Sequence, residues 1–345
     1  MRVLAIISLL ATAPCVTAAD PSTIFTAIRT GDASTVKAQL RAGADKDAPG
    51  EGGLTPLMYS IVTAGTPVIK VLLDAGANVD AATPDGVTAL HIAAFDLART
   101  RLLLDHGANV MAAAKIGETP LFIAAFRPGN SAVVSLLLSK GADPSTKVLG
   151  VFTPLDAAAI FGDLAAIRLL LDKGAKVADS SGLARSAAAG HCRECLELVL
   201  TRGASPNGAV FGRSALQDAA GFGNLDMVRM LVEKGADVQA ADERGYTALM
   251  RGVLSYEPGA AQVVEYLLTK GARTDPKNET ADTALSFALR FGDTPIAAML
   301  RRAGAPLFDG ILTNWDRIQR ALDVRAEELT KAGYTPQVVP RPGEA

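Results

Sequence analysis

Apolar residues recur along most of this chain at the three- and four-residue spacing of an amphipathic helix. The clearest runs are AAIRLLLDKGA at residues 165–175 and DMVRMLVEKGA at residues 226–236. In both runs the apolar positions are followed by a lysine and then by a glycine, the residue that most readily ends a helix. The pattern therefore predicts short helices that each stop at a glycine.

Alanine follows each of these glycines, and the Gly-Ala pair recurs at a nearly fixed interval. Successive pairs are 33, 31, 34, 33, 29, 32, 36 and 33 residues apart. They begin at Gly43, Gly76, Gly107, Gly141, Gly174, Gly203, Gly235, Gly271 and Gly304. A fixed period of this length is the sequence signature of a repeat protein.

Another helix is predicted about a dozen residues after most of these Gly-Ala pairs. There a threonine precedes proline or alanine and then leucine, as in LTPLMYS from Leu54, ETPLFIAA from Glu118 and FTPLDAAA from Phe152. A threonine side chain caps the start of a helix, and proline is tolerated in the first turn. Each unit is thus predicted to hold two antiparallel helices and a polar turn.

This repeat resembles the ankyrin-repeat family, in which Gly-x-Thr-Pro-Leu-His-x-Ala-Ala is followed by an aliphatic helix and Gly-Ala-Asp-x-Asn. The best matches are DGVTALHIAAF at residues 85–95 and FGNLDMVRMLVEKGADVQAADERGYTAL at residues 222–249. The resemblance implies an all-α repeat solenoid at residues 20–307, made of about nine stacked helix pairs with projecting β-hairpin loops. One helix pair cannot bury its own apolar faces, so stacking has to supply the core.

The two ends of the chain differ from the repeats. Residues 1–19 carry one positive residue, an apolar run and a small-residue ending, which is the pattern of a secretory signal peptide. At the other end, TNWDRIQRALDVRAEELTKAGY predicts a capping helix within residues 308–333, and residues 334–345 form a Pro-rich tail expected to be disordered. We therefore expect an exported protein, periplasmic with extracellular release as the alternative, and the Ala, Gly and Arg usage suggests a bacterial origin.

Charge and hydropathy narrow the classes of partner. The chain has 34 basic and 36 acidic residues, a formal net charge of -2. Because nucleic-acid binding calls for a concentrated basic surface, no nucleic-acid partner is expected. No later segment is apolar for the roughly 20 residues that a membrane-spanning helix needs, so no membrane insertion is expected after signal cleavage. We expect a monomer that binds a protein partner.

The histidines do not point to chemistry. The ankyrin resemblance places His91 where the family's Thr-Pro-Leu-His histidine bonds nearby backbone, and His106 lies at a helix end. No phosphate-binding Gly-x-x-x-x-Gly-Lys motif and no set of metal ligands is present in the sequence. The sequence therefore predicts no catalytic residue, no cofactor, no metal and no enzyme.

The two cysteines of GHCRECLELVL, Cys192 and Cys195, are the strongest chemical candidates. A c-type haem would need histidine directly after the second cysteine, where Leu196 stands, and a structural zinc site needs four ligands. Three alternatives stay open at this point: a structural disulfide, two ordinary thiols and a catalytic redox pair.

The turn before these cysteines also looks irregular. Thirteen residues separate Gly190 from Gly203, whereas twelve separate Gly162 from Gly174. An extra residue inside the helix would rotate every later side chain by about 100°. We therefore expect the extra residue to lie in the turn beside the cysteines.

The ankyrin resemblance implies partner binding through the hairpin tips and the inner face of the first helices. The candidate tip residues are Asp85, Val87, Lys115, Ile116, Glu118, Phe211, Arg213, Glu243, Arg244, Tyr246, Glu279 and Asp282. A phenylalanine row recurs at the ends of the first helices, at Phe95, Phe126, Phe161, Phe222 and Phe291. This row serves either as an exposed groove that anchors a partner or as packing between repeats.

The predicted function is a non-enzymatic protein-protein interaction scaffold that acts after export. Two alternatives remain at this stage. One is a thiol-disulfide redox protein or sensor that uses Cys192 and Cys195, and the other is a secreted, host-directed effector.

Overall fold

The computed structural model describes residues 24–179, 182–210, 212–290 and 294–306. Within them the fold is a series of helix pairs, as expected, and nine pairs lie in the described residues. The predicted signal peptide, the predicted helix at 308–333 and the tail at 334–345 lie outside the described residues.

Each repeat contributes a first and a second helix. The first helices are α1 (Ile24–Thr30), α3 (Pro56–Thr63), α5 (Ala89–Ala93), α7 (Pro120–Ala125), α9 (Pro154–Ile160), α11 (Leu183–Ala189), α13 (Ala215–Gly221), α15 (Ala248–Val253) and α17 (Ala284–Leu289). The second helices are α2 (Ala33–Arg41), α4 (Thr66–Asp74), α6 (Leu97–Asp105), α8 (Ser131–Ser139), α10 (Leu164–Asp172), α12 (Arg193–Thr201), α14 (Leu225–Glu233), α16 (Ala260–Thr269) and α18 (Pro295–Arg302). Two 3-10 turns, Glu51–Gly53 and Val177–Asp179, precede α3 and α11.

The first helices begin where the threonine signal predicts. In α9 the Thr153 backbone N–H donates to Asp156 Oδ2 at 2.9 Å, and Thr153 Oγ1 accepts from the Asp156 N–H at 3.3 Å. This reciprocal pair satisfies two backbone donors that the helix itself leaves free. Pro154 fills the first helical position, where its missing N–H costs nothing.

The second helices end at the Gly-Ala pair, as predicted. Gly174 adopts φ 98°, a left-handed conformation that a side chain would oppose. This turn brings the Ala175 N–H to within 2.9 Å of the Leu170 carbonyl oxygen, which satisfies an orphan acceptor at the helix end. The predicted glycine caps are therefore confirmed.

The chain divides into two compact units. The first comprises residues up to Val210 together with Glu233–Ala236, and the second comprises Phe211–Val232 and the residues from Asp237 onward. The first unit contains α1 to α12, and the second contains α13 to α18 except for the last residue of α14.

Each unit has its own core of apolar side chains, which recur at the same position of successive repeats. The residue four places before the Gly-Ala glycine is fully buried in successive repeats, as at Leu72, Leu103, Leu137 and Leu170. Each fully buried leucine contributes about 1.5–3 kcal/mol relative to its exposed state. In the second unit Leu231 holds the same position and is also fully buried.

A projecting loop, here called a finger, precedes most first helices. Antiparallel bridges close the fingers at Ala82 with Thr88, Val148 with Phe152, and Ala241 with Thr247. The two short strands are β1 (Ala209–Val210) and β2 (Arg213–Ser214). Helices with projecting hairpin loops are the architecture that the sequence predicts.

Turns that follow the second helices are joined by a ladder of side-chain acceptors. Asp80 Oδ1 accepts from the Asn109 N–H at 2.8 Å, and Met111 Sδ occupies the same place for the Asp143 N–H at 3.3 Å. In the second unit Gln239 Oε1 accepts from the Arg273 N–H at 3.0 Å. These bonds tie neighbouring repeats to one another within each unit. Among the described helices, all are too short or too polar to cross a membrane.

Candidate functional site

The candidate binding residues lie on the fingers, and their exposure varies. Lys115, Glu243, Arg244 and Glu279 are exposed, whereas Asp85, Ile116, Arg213, Tyr246 and Asp282 are half-buried. Phe211 lies outside the described residues. The fingers therefore present fewer free side chains than the sequence predicts.

Two of the predicted tip residues are buried, which corrects their assignment to the binding surface. Val87 is fully buried, and Glu118 is 4% exposed. Each stands immediately before the threonine that caps the next helix, at Thr88 and Thr119. In these two repeats the side chain at that place packs inward.

Glu118 is unusual because its carboxylate has no hydrogen-bond partner among the residues that the structure describes. The corresponding residues in the second unit are paired: Arg213 with Asp218 at 2.5 Å, and Asp282 with Arg290 at 2.7 Å. A buried polar group that lacks a partner costs free energy.

The exposed charges of the fingers are mostly engaged with one another. Lys115 Nζ lies 3.1 Å from Asp85 Oδ1, and the Arg244 guanidinium pairs with the Glu279 carboxylate. Hydrogen bonding to Glu279 raises the pKa of Arg244 above its usual value. These ion pairs join neighbouring fingers and occupy groups that were expected to contact a partner.

A further ionic cluster lies beside Tyr246 in the second unit. Arg251 Nη2 donates to Asp242 Oδ2 at 2.7 Å, and its guanidinium carbon lies 4.4 Å from the centre of the Tyr246 ring. Burial alone would raise the pKa of Asp242, but hydrogen bonds from Arg251 and from backbone N–H groups hold it below its usual value. The Tyr246 ring also stacks on Phe287, with centroids 5.8 Å apart.

The finger at residues 147–152 carries an exposed residue that sequence reasoning missed. Leu149 is 61% exposed and adopts φ 53°, a conformation rare for a residue with a side chain. Its N–H donates to the Ile116 carbonyl oxygen at 2.9 Å, which aligns this finger with the preceding one. The signal available in the sequence was the apolar string VLGVF at residues 148–152, where the fingers at residues 83–87 and 242–246 carry the polar strings TPDGV and DERGY.

The phenylalanine row is only partly buried. Phe161 is 39% exposed, and Phe95 and Phe126 are half-buried. The rings also contact their neighbours: Phe126 meets Phe161 edge to face at 4.6 Å, and the Arg127 guanidinium lies 5.6 Å from the Phe95 ring centre. The rings of the first unit therefore pack between repeats and still present a face to solvent.

The rest of the row belongs to the second unit. Phe222 is 39% exposed and borders an open depression with Glu257 and Pro258. Phe291 lies outside the described residues.

The two cysteines are joined in the structure as a disulfide, with alpha carbons 5.1 Å apart. Cys192 is the N-cap of α12, and its Sγ accepts from the Cys195 N–H at 3.1 Å. Cys195 is fully buried, whereas Cys192 is half-buried. One sulfur thus belongs to the core and the other to the helix end.

The expected extra residue beside the cysteines is absent, so that expectation was wrong. The left-handed residue of the turn is His191 at φ 53°, which takes the place of Gly162 at φ 65° and Gly223 at φ 62°. His191 stands twelve residues before Gly203, the regular spacing. Gly190 instead takes the place of Phe161, where a Cβ would lie 2.3 Å from the Ala159 carbonyl oxygen.

The described residues hold no group of three histidine, cysteine or acidic side chains that is placed to bind a metal ion. His91 is fully buried, and this burial lowers its pKa to about 4. Its Nδ1 accepts from the Thr88 N–H at 3.1 Å, so Nε2 carries the proton. His91 is therefore a neutral structural residue.

The sequence is similar to proteins that carry the same repeat. The family described as Ankyrin repeats matches in three copies, at residues 24–114, 100–181 and 183–278. Ankyrin repeat and KH domain-containing protein mask-1 of Caenorhabditis elegans is 38% identical over 181 residues, which are 51% of this chain and 7% of that protein. Human Protein phosphatase 1 regulatory subunit 27 is 37% identical over 71 residues, which are 21% of this chain and 44% of that protein. The chain thus spans less than half of each of these relatives.

A solved structure shows the same fold. The crystal structure of the human ASB11 ankyrin repeat domain aligns with a TM-score of 0.55 and 24% sequence identity, covering 64% of this chain and 100% of that one.

Proposed function

Because this chain belongs to the ankyrin-repeat family, we propose that it is a non-enzymatic scaffold that binds a partner protein through the fingers of its first unit. Ankyrin repeats generally mediate protein-protein interaction. The observation that carries the proposal is Leu149, an apolar side chain held out at the tip of a finger. The partner is expected to offer an apolar pocket or groove to it.

Leu149 is costly to keep in this arrangement. An exposed leucine gains nothing from the hydrophobic effect, and a left-handed conformation costs a residue with a side chain roughly 1–2 kcal/mol. Strained and exposed residues of this kind concentrate at binding sites, because a bound partner can repay the cost. Ile116 on the preceding finger is half-buried and extends the apolar surface.

Charged tip residues contribute less to this binding face. Lys115 is already paired with Asp85, and a solvent-exposed ion pair adds little affinity when a partner must compete for it. Affinity in protein interfaces is concentrated in a few buried apolar or aromatic anchors. We therefore place the centre of the binding face at Leu149 and its edge at Lys115.

The similarity to a phosphatase regulatory subunit supports a regulatory, non-enzymatic role. We also propose that the chain acts after export as a monomer and without nucleic acid. The pattern of residues 1–19 supports export, and N-terminal sequencing of the mature protein should then begin at Asp20. The similar proteins named above come from animals, so they add nothing to the suggested bacterial origin.

Crosslinking and capture from the native source, followed by calorimetry with the purified partner, tests the binding face. Leu149→Asn removes the apolar anchor and keeps the backbone, because asparagine tolerates the left-handed conformation. We expect this variant to weaken binding by about tenfold or more, equivalent to roughly 1.4 kcal/mol.

Met111→Gln is the matched control, an exposed apolar residue of the same unit outside the fingers. Gln239 performs the same ladder bond in the second unit, so the variant should keep its fold and bind within about twofold of the wild type. If both variants weakened partner binding equally, or if Leu149→Asn did not weaken it, the binding face would lie elsewhere. Failure to capture any specific partner would reject the scaffold function itself.

A further inference from the structure

The disulfide lies in a turn that other repeats build without cysteines. Cys192 occupies the N-cap position held by Asp163 in the fifth repeat and Asn224 in the seventh. Cys195 occupies the buried position held there by Ala166 and Met227. Ordinary residues build the same turn in those repeats. We therefore expect the sixth repeat to keep its cap and its core with the cysteines oxidised or reduced.

The Cys192 sulfur stands where other repeats hold an anion. In the fifth repeat Asp163 Oδ1 accepts from the Ala166 N–H at 3.0 Å, and in the sixth Cys192 Sγ accepts from the Cys195 N–H at 3.1 Å. The free N–H groups and the dipole at a helix start favour negative charge. A cysteine in this position of a Cys-x-x-Cys sequence is stabilised as the thiolate.

Asp32, the N-cap of the second helix in the first repeat, is an anion held by both side-chain and backbone donors. Hydrogen bonds from the Ser34 and Thr35 side chains, with further bonds from their backbone N–H groups, lower its pKa to about 2. Cys192 Sγ shares one element of this arrangement, because it accepts a hydrogen bond from a backbone N–H, that of Cys195.

The two cysteines differ in burial. Cys195 is fully buried, whereas Cys192 is half-buried at the helix end. Gly190 stands where other repeats have Phe161 or Phe222, so no side chain extends from this position beside the disulfide. The neighbouring turn approaches closely, because a Cβ on Gly162 would lie 3.1 Å from Cys192 Cβ. That turn follows directly on Phe161, which is 39% exposed.

We propose that Cys192 and Cys195 form a redox-active disulfide that oxidises dithiols of exposed polypeptide segments by thiol-disulfide exchange. A substrate thiolate attacks Cys192 Sγ, and the Cys192–Cys195 bond breaks. The electron pair passes to Cys195 Sγ, which takes up a proton. The exposed Phe161 ring favours substrates with apolar residues near their cysteines.

The second step releases the product. The other substrate thiolate attacks the substrate sulfur of the mixed disulfide, which closes the substrate disulfide and returns the electron pair to Cys192 Sγ. Cys192 leaves as a thiolate at the N-cap, where the helix start stabilises it. The substrate loses two electrons and the cysteine pair gains them, so one disulfide is exchanged for another.

A single-turnover reaction with a defined substrate tests the activity. Oxidised protein is mixed with an equal amount of a synthetic reduced peptide that carries two cysteines and one aromatic residue, and both products are counted by mass spectrometry after acid quenching. We expect oxidised peptide to form in step with reduced protein, while circular dichroism shows the helices unchanged. The disulfide should also open in a glutathione buffer that leaves structural disulfides intact.

The double variant Cys192→Asp and Cys195→Ala is the control, since it reproduces the residues of the fifth repeat and should fold without oxidising the peptide. Cys195→Ala isolates the thiolate: its Cys192 should react with iodoacetamide at pH 6 about tenfold faster than cysteine in an unstructured peptide. A disulfide that opens only in denaturant, or a reduced protein that unfolds, would overturn the proposal and leave a purely structural crosslink. Either result would leave the proposed binding at Leu149 untouched.

Discussion

His91 Nε2 lies 3.0 Å from the backbone carbonyl oxygen of Glu118, so the third repeat holds the finger of the fourth through one imidazole. The other ring nitrogen accepts from the Thr88 N–H. Gln217 does the same in the second unit: its Oε1 accepts from the Ser214 N–H at 2.9 Å, and its Nε2 donates to the Tyr246 carbonyl oxygen at 2.7 Å. An imidazole and an amide thus serve one structural purpose.

His91 should make stability depend on pH. Burial lowers its folded-state pKa to about 4 from 6.5, so between these values only the unfolded state binds the proton. The free energy of unfolding is therefore highest above pH 6.5 and falls as the pH drops towards 4, by about 3 kcal/mol in total. Urea unfolding of the wild type and of His91→Gln across this range measures the difference. The variant keeps both hydrogen bonds without the titration, so an equal slope in both proteins would contradict the prediction.

Glu118→Gln should stabilise the protein. Its carboxylate is 4% exposed and lacks a hydrogen-bond partner within the described chain, so removing the charge should raise the free energy of unfolding by about 1–2 kcal/mol. Asp282→Asn provides the contrast, because Asp282 holds the same position and is paired with Arg290. That variant should lose stability in the same denaturation experiment. A loss of stability in Glu118→Gln would show that the carboxylate is stabilised in the folded state.

Gly190→Ala should destabilise the sixth repeat. The new methyl group would lie 2.3 Å from the Ala159 carbonyl oxygen, and such overpacking against backbone costs about 2–3 kcal/mol. Gly221→Ala is the comparison, because its Cβ would meet only the Arg251 side chain at an ordinary 3.9 Å. Alanine also favours a helix by up to about 1 kcal/mol, so this second variant should be neutral or stabilising in thermal unfolding. Similar melting temperatures for the two variants would contradict the close approach of the turns.

Arg251→Ala should destabilise the second unit by about 2 kcal/mol, because it leaves the buried Asp242 carboxylate without its charged partner. The loss should be largest at neutral pH. It should shrink as the pH falls below the usual pKa of an aspartate, since protonation removes the charge that Arg251 compensates. Arg244→Ala removes an exposed ion pair and should cause no measurable loss. Chemical unfolding at pH 7 and pH 3 distinguishes these outcomes.

The repeat could be predicted from the sequence because its signals are local. Thr153 caps a helix within three residues, and Gly174 ends one through its own backbone conformation. The same signals recur at a period close to 33 residues. The helix pairs and projecting loops are therefore predicted by residues that are near one another in the chain.

The candidate site was less predictable, because exposure and pairing depend on neighbouring repeats. Contacts about one repeat away decide whether Val87 points inward. Such contacts also decide whether Arg244 is already paired, as it is with Glu279 on the next finger. The turn at Gly190 shows the same limit. Spacing counted from that glycine predicted an extra residue in the turn, whereas the backbone of the preceding repeat excludes a side chain at Gly190 and His191 takes the left-handed conformation.

The sequence by itself determined the repeat, the helix ends and the ankyrin-repeat architecture, because each depends on propensities and caps inside one unit. Only the tertiary structure decided which finger residues stay free, that Leu149 is held out to solvent and that Cys192 is half-buried while Cys195 is fully buried. The physical reason is that burial and ion pairing are properties of two stacked repeats, and a single repeat does not contain them.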